Sequence, residues 1–323
     1  MKIVIDRYIP FLKGVLEPYA EVVYLDPEQI TASAVRNADA LLVRTRTKCN
    51  ASLLEGSSVR FVATATIGYD HIDTEYCRRN DIFWTNSPGC NAQGVCDYVQ
   101  EALTLVVPDI KKMSAGQTDD AAKTIGIVGV GHVGSLVARM AEKMGLRVLL
   151  NDPPKGIGVP LAQIAHEADI ITFHTPLTRN GEYPSWHLCD RAFLRLCKPE
   201  VVIVNAARGG VVDEEAALLE ENDGKTFIID TWEGEPDINM RMLERAKLAS
   251  YHIAGYTLQG KINASNMCLE ALCNFFSLPM LHIPQSVLPV PETTKSGWLL
   301  DVDRQFRQHP SDFETLRETY RLR

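Results

Sequence analysis

Three segments of this 323-residue chain carry side chains that could move a proton and hold a carboxylate. They are Asn205-Ala206-Ala207-Arg208-Gly209-Gly210, Asp230-Thr231-Trp232-Glu233-Gly234-Glu235-Pro236 and His252-Ile253-Ala254-Gly255-Tyr256. Each lies at the end of a strand-like stretch, where open α/β sheets bind ligands. Histidine titrates near neutrality, so His252 is a natural acceptor of an alcohol's proton and its donor in the reverse direction. A carboxylate beside it, Glu233 or Glu235, would stabilise the charged imidazole and hold its orientation. Arginine can clamp a substrate carboxylate in a two-pronged fork, a task suited to Arg208. Placed at successive strand ends, the three types form a set able to take the proton of a secondary alcohol while its hydride leaves for an acceptor.

Such chemistry needs a hydride acceptor, and a second motif offers a place for one. The run Ile125–Val128 leads into Gly129-Val130-Gly131-His132-Val133-Gly134 and then into an apolar-periodic stretch, Leu136–Met144. In a dinucleotide fold Gly129 permits the tight turn, Gly131 lets backbone approach a pyrophosphate, and Gly134 lets helix and strand pack closely. The N–H groups around His132 and Val133 would face the anion from the helix start. A further strand ends at Asp152, about eighteen residues beyond the motif, near the spacing of a ribose-binding acid. An acid there repels a 2′-phosphate, so NAD is expected rather than NADP, with Lys155 as a neighbouring charge of opposite effect. The His132 side chain is expected at the solvent edge, and His71 and His174 as satisfied core histidines.

The elements that must position these groups alternate along the chain. Ile3–Ile5, Glu21–Leu25, Ala40–Val43, Phe61–Thr64 and Ile82–Trp84 read as strands, with helical stretches such as Thr31–Asn37 and Thr74–Arg79 between them. A long helix is predicted from Asn91 to Val107, followed by a polar connector around Lys111–Lys123. The alternation then restarts with Thr124–Val128, Arg147–Leu150, Ile170–Phe173, Val201–Val204 and Thr226–Ile229, implying a second parallel sheet. A second long helix is expected over Ile262–Ser277, after which Pro279, Pro284, Pro289 and Pro291 break the regularity. The fold class is therefore α/β: two doubly wound parallel-sheet domains, Rossmann or flavodoxin-like, joined by two long helices, with a small C-terminal appendage. The domains are expected at 1–90 with part of 257–280, at 91–256, and at 279–323.

Composition narrows the partners. With 46% hydrophobic and 23% charged residues the chain is globular, and no apolar run approaches the ~20 residues that span a bilayer. Met1–Asp6 reads as a strand and not as a signal peptide. A formal net charge of −8 argues against nucleic-acid binding, which relies on basic surface. The eight cysteines form no CxxC pair and no zinc spacing, so buried thiols in a reducing cytoplasm are expected.

The glycine motif, Asn205-x-x-Arg208-Gly209, the stretch from Asp230 to Glu235-Pro236 and the strand-end histidine jointly resemble the D-isomer-specific 2-hydroxy acid dehydrogenase family, over nearly the whole chain. Within it, the run His252–Lys261, Trp232–Pro236, Thr64–His71 and Asn86–Ala92 are similar to the 4-phosphoerythronate dehydrogenase branch. The resemblance implies NAD-dependent oxidation of 4-phospho-D-erythronate, a small phosphorylated hydroxy acid, to 2-oxo-3-hydroxy-4-phosphobutanoate in vitamin B6 biosynthesis. It selects Glu235 over Glu233, because in the family the acid precedes the proline. Carried over by position, Thr45, Thr66 and Tyr256 would contact substrate, with Thr45 in place of the more usual serine. Asp152, Thr175, Asp230 and Gly255 would contact NAD, and Ala206 and Ala207 would lie beneath the nicotinamide. The basic residues around Thr45, Arg44, Arg46 and Lys48, read either as the holders of the remote phosphate or as a solvated basic loop. The resemblance also implies a homodimer, here with a shortened C-terminal dimerisation segment. Another 2-hydroxy acid dehydrogenase, such as one for 3-phosphoglycerate, shares the same catalytic residues, and the fold also serves as an NAD-sensing corepressor.

Overall fold

The computed structural model describes residues 1–107, 110, 123–219, 224–284 and 295–323. Within these the chain forms two compact units, one of residues 1–91, 257–284 and 323, the other of 92–256 and 295–322. The connector expected around Lys111–Lys123 falls almost wholly outside the described residues, as do Pro289 and Pro291.

In the first unit, β1 (Lys2–Asp6), β2 (Glu21–Leu25), β3 (Ala40–Val43), β4 (Phe61–Thr64) and β5 (Phe83–Thr85) form a parallel sheet ordered β2-β1-β3-β4-β5. Side chains alternate across it with the period of two that strands impose. Ile3, Ile5, Leu42 and Phe61 pack on one face with Leu269 and Leu272 of the helix Leu258–Phe276. Val4, Leu41, Val43 and Val62 pack on the other with Val35, Leu53 and Cys77. Because both faces are covered, β3 and β4 are buried along their whole length. The chain order reverses between β1 and β3, which makes their carboxyl ends the place where such a sheet receives a ligand.

In the second unit, β6 (Thr124–Val128), β7 (Arg147–Asp152), β8 (Ile157–Gly158), β9 (Ile170–Phe173), β10 (Val202–Asn205), β11 (Thr226–Ile229) and β12 (Leu248–Ala249) are ordered β12-β11-β10-β9-β6-β7-β8. The sheet is parallel as expected except at its edge, where a short strand the sequence does not mark, β8, runs antiparallel to β7. The reversal has a local cause: the Pro153–Lys155 turn ends on Gly156 at φ 65, a left-handed residue that folds the chain back. The first long helix is Ala92–Val106, and the helix after the glycine turn is His132–Lys143, four residues earlier than apolar periodicity marks it.

The helices Trp298–Gln308 and Phe313–Thr319 were not foreseen. They bury Leu299, Phe306 and Phe313 in the second unit's core, where the Phe306 ring lies 5.7 Å from Trp232 and 5.6 Å from Tyr251. Arg307 donates to the carbonyls of Leu243 and Ala246, each at 2.7 Å, and so caps the end of the helix Met240–Arg245. No helix among the described residues is long and apolar enough to cross a membrane.

Candidate active site

In the second sheet the chain order reverses between β6 and β9, and their carboxyl ends carry the glycine turn and His174-Thr175. A Cβ on Gly129 would meet the His174 carbonyl at 2.8 Å, so the turn and the end of β9 touch. A Cβ on Gly134 would collide with the carbonyl oxygen of Gly129, which explains the third glycine by packing alone. Gly131 differs, because a Cβ there meets no atom within 4 Å. No packing contact among the described residues requires glycine there, and the open space fits the close approach of a pyrophosphate. The Thr175 hydroxyl and His174 Nδ1 are buried with no hydrogen-bond partner among the described residues. His174 is thus only half satisfied: its Nε2 lies 3.0 Å from the Thr172 hydroxyl, and burial pushes its pKa down to about 3. The His132 side chain is exposed.

Asp152 is buried at the end of β7 and accepts the Val130 N–H at 2.9 Å, tying this acid to the glycine turn. Lys155 bridges the same two places, 3.3 Å from the Asp152 carboxylate and 2.8 Å from the Val130 carbonyl. An open cradle over Gly131, an orphaned hydroxyl at Thr175 and a carboxylate at Asp152 fit a dinucleotide, with N–H groups to hold phosphate and an acceptor for a ribose hydroxyl.

The candidate proton-transfer residues, His252 and Glu235, meet in the same unit. The His252 ring donates its Nδ1–H to Glu235 Oε2 at 2.8 Å, the tautomer that an ionised carboxylate requires. That leaves Nε2 to take or give a proton. Glu235 Oε1 accepts the Trp232 N–H at 2.8 Å, so the acid is oriented by its own loop. Burial alone would raise the Glu235 pKa, but His252, the Trp232 N–H and Arg317 together hold it below the usual value. Glu233 faces away, pairing with His187 Nε2 at 3.0 Å. The choice of Glu235 therefore has a geometric reason. Arg208 sits in a turn stapled by Asn205, whose amide donates to the Arg208 carbonyl at 3.0 Å and the Thr231 carbonyl at 3.2 Å. One Arg208 N–H donates to the Ala207 carbonyl at 2.8 Å. Ala207 is buried and Ala206 half-buried in this turn.

Asp230 has a task the sequence does not reveal. Its carboxylate accepts the Ser250 hydroxyl at 2.6 Å, the Ile253 N–H at 2.8 Å and the Ala254 N–H at 3.0 Å. These bonds hold the turn that carries His252, which has φ 58. Gly255 and Tyr256 follow in the same loop, both half-buried. Two further residues near Glu235 were missed. Glu214 is buried and accepts the Glu233 N–H at 2.8 Å. Arg317 donates to the Tyr256 hydroxyl at 3.0 Å. Both act across long sequence separations, and neither belongs to a motif that sequence could flag.

In the first unit, Thr45 is exposed just past β3, with Arg46 and Lys48 exposed and Arg44 half-buried beside it. This is the sheet's reversal point, and the buried carboxyl of Asp6 at the end of β1 feels both Arg44 and Arg46. Thr66 follows β4, and its hydroxyl lies 2.7 Å from that of Thr64, which lies 3.0 Å from His71 Nε2.

The family of D-isomer specific 2-hydroxyacid dehydrogenases, by its NAD binding domain, matches residues 105–254. The fold agrees with solved members. D-lactate dehydrogenase of Aquifex aeolicus, complexed with NAD and lactic acid, superposes with a TM-score of 0.69 at 22% identity, covering 86% of this chain and 96% of that one. NAD-bound 3-phosphoglycerate dehydrogenase of Entamoeba histolytica gives 0.68 at 25% identity, covering 86% and 95%. Fold and site together define an NAD-dependent 2-hydroxyacid dehydrogenase. The full-length comparison goes further: erythronate-4-phosphate dehydrogenase of Bacteroides fragilis is 43% identical, covering 100% of this chain and 97% of that protein. The chain belongs to the erythronate-4-phosphate dehydrogenase family.

Proposed function

We propose that this chain oxidises 4-phospho-D-erythronate to 2-oxo-3-hydroxy-4-phosphobutanoate, a step in pyridoxal phosphate biosynthesis. The observation that supports the mechanism most is the 2.8 Å bond from His252 Nδ1 to Glu235, which leaves Nε2 to accept a proton. NAD, when bound, supplies the hydride acceptor. His252 Nε2 removes the proton of the substrate's C2 hydroxyl as the C2 hydride leaves, and the C–O bond becomes a carbonyl. The positive charge gained by the imidazole is balanced by Glu235. Arg208 holds the substrate carboxylate and polarises the carbon that is oxidised.

Asp152 is proposed to accept the ribose hydroxyls and the N–H groups of His132 and Val133 to receive the pyrophosphate. Thr175, Ala206, Ala207, Asp230 and Gly255 are proposed NAD contacts. Thr45, Thr66 and Tyr256 are proposed substrate contacts by family likeness, and Arg44, Arg46 and Lys48 the holders of the phosphate. A homodimer is proposed on the same likeness. A cytoplasmic location suits the eight cysteines, all of them free thiols.

The test follows NADH absorbance with 4-phospho-D-erythronate and, separately, D-3-phosphoglycerate, adding a 2-oxo acid so that a tightly held cofactor can turn over. Turnover of phosphoerythronate with little of phosphoglycerate supports the reading. Turnover of phosphoglycerate alone would keep the mechanism and discard the substrate. Failure of both, with NAD-dependent capture of a protein partner, would favour a sensing role.

A further inference from the structure

The C-terminal helices bring a cation to the chemistry. The helix Phe313–Thr319 buries Phe313 and Leu316 in the second unit's core. The next residue, Arg317, is only 21% exposed and reaches the His252 loop. Its Nε–H donates to the Tyr256 hydroxyl at 3.0 Å, while its Nη1 lies 3.3 Å from Glu314. Its charge also acts on Glu235, the carboxylate that holds His252.

We propose that Arg317 is a positioning residue of this active site, fixing the Tyr256 phenol and offsetting the negative charge around the Glu235–His252 pair. The inference rests on His252 as base and Tyr256 as substrate contact. A phenol oxygen that accepts a charge-assisted hydrogen bond becomes a stronger donor through its own O–H, which favours binding of an anionic substrate. The charge argument concerns the whole surround of the pair. Glu233 lies on the pair's own loop, Glu214 acts from the helix Glu214–Leu219, Asp230 holds the turn after His252, and Arg317 comes from the C-terminal helix. Glu233 pairs with His187 and Glu214 keeps its proton up to about pH 7, so Arg317 is the charge beyond His252 that acts on Glu235. Without Arg317 the pair sits in a more negative field, and proton loss from it moves to higher pH.

The experiment compares Arg317→Met, Arg317→Lys, Tyr256→Phe and the Tyr256→Phe/Arg317→Met double variant, as full chains with NAD and a 2-hydroxy acid that the wild type turns over. Arg317→Met should lower kcat/KM roughly tenfold to a hundredfold, the worth of a hydrogen bond to a charged group. The acid limb of its pH profile should move up by about half a unit. Arg317→Lys should restore the limb while recovering only part of the rate, because the charge returns without the fixed planar fork. In the Tyr256→Phe background the loss on removing Arg317 should shrink to about twofold, since the two residues act as one. A loss under twofold in Arg317→Met, or losses that multiply while the limb stays put, would overturn the proposal. Should Arg317→Met fail to fold, Arg317→Gln carries the same comparison. Both readouts are ratios on one substrate, so a wild type that prefers another 2-hydroxy acid still tests Arg317. A wild type that reduces NAD with none removes the functional reading and this proposal with it.

Discussion

In the proposed mechanism His252 and Glu235 divide one proton transfer between a group that moves it and a group that holds the mover. Glu235→Gln keeps the shape and a hydrogen-bond acceptor but removes the charge that balances the imidazolium. It should lower kcat/KM roughly tenfold to a hundredfold with little change in KM, since the loss falls in the transition state. Arg208→Lys should act differently, raising KM as well, because an ammonium cannot reproduce a bidentate grip. Both are read from steady-state kinetics at saturating NAD. Arg208 and His252 stand out in the sequence as candidates because their side-chain types have few uses at a strand end. Glu235 was legible only through likeness, since spacing does not say which of Glu233 and Glu235 faces the imidazole. The structure supplies the reason: the Trp232 N–H turns Glu235 inward, and His187 occupies Glu233.

At the level of elements, glycines that look alike in the motif do different work. Gly131→Ala should leave the unfolding midpoint in urea nearly unchanged, because its Cβ would meet no atom within 4 Å. Its NAD affinity should nevertheless fall about tenfold or more if pyrophosphate lies over that backbone. Gly134→Ala should instead cost about 1–3 kcal/mol of stability, because its Cβ collides with the Gly129 carbonyl. Equal effects of the two on folding would contradict the division of roles. Asp230 makes a parallel case, since it holds His252 at φ 58, a conformation that costs an L residue about 1–2 kcal/mol. Most strands were readable because a strand buried on both faces is a short, nearly continuous apolar run, as at Ala40–Val43 and Phe61–Thr64. β8 was not, because two residues at an edge carry no periodicity. The helix Trp298–Gln308 was hidden by the prolines before it, although its apolar side, Leu299, Val302 and Phe306, has helical spacing.

At the level of the whole molecule, stability should report both the ligand and a buried acid. NAD binds only the folded chain, so a concentration about a hundred times its Kd should stabilise it by about 2.7 kcal/mol in thermal unfolding. Glu214 gives a pH dependence of definite sign. Burial, aided by the negative charges of Glu233, Glu235 and Glu215, pushes its pKa from 4.5 up to about 7, against the opposing N–H of Glu233. The folded chain therefore binds this proton more tightly than the unfolded chain. The stability so gained is full below pH 4.5 and is lost as pH rises through about 7. Glu214→Gln should thus be the more stable protein at alkaline pH, by up to about 3 kcal/mol, with the advantage fading toward acid pH. A constant difference across pH would show that Glu214 ionises without penalty.

The account stands most directly on one comparison, the rate of NADH formation from 4-phospho-D-erythronate by the wild type and by His252→Ala under the same conditions. It predicts sustained turnover by the wild type and a loss on the order of a thousandfold in the variant, with NAD affinity preserved. A variant that keeps more than a tenth of the wild-type rate would contradict His252 as the proton acceptor, and with it the central claim.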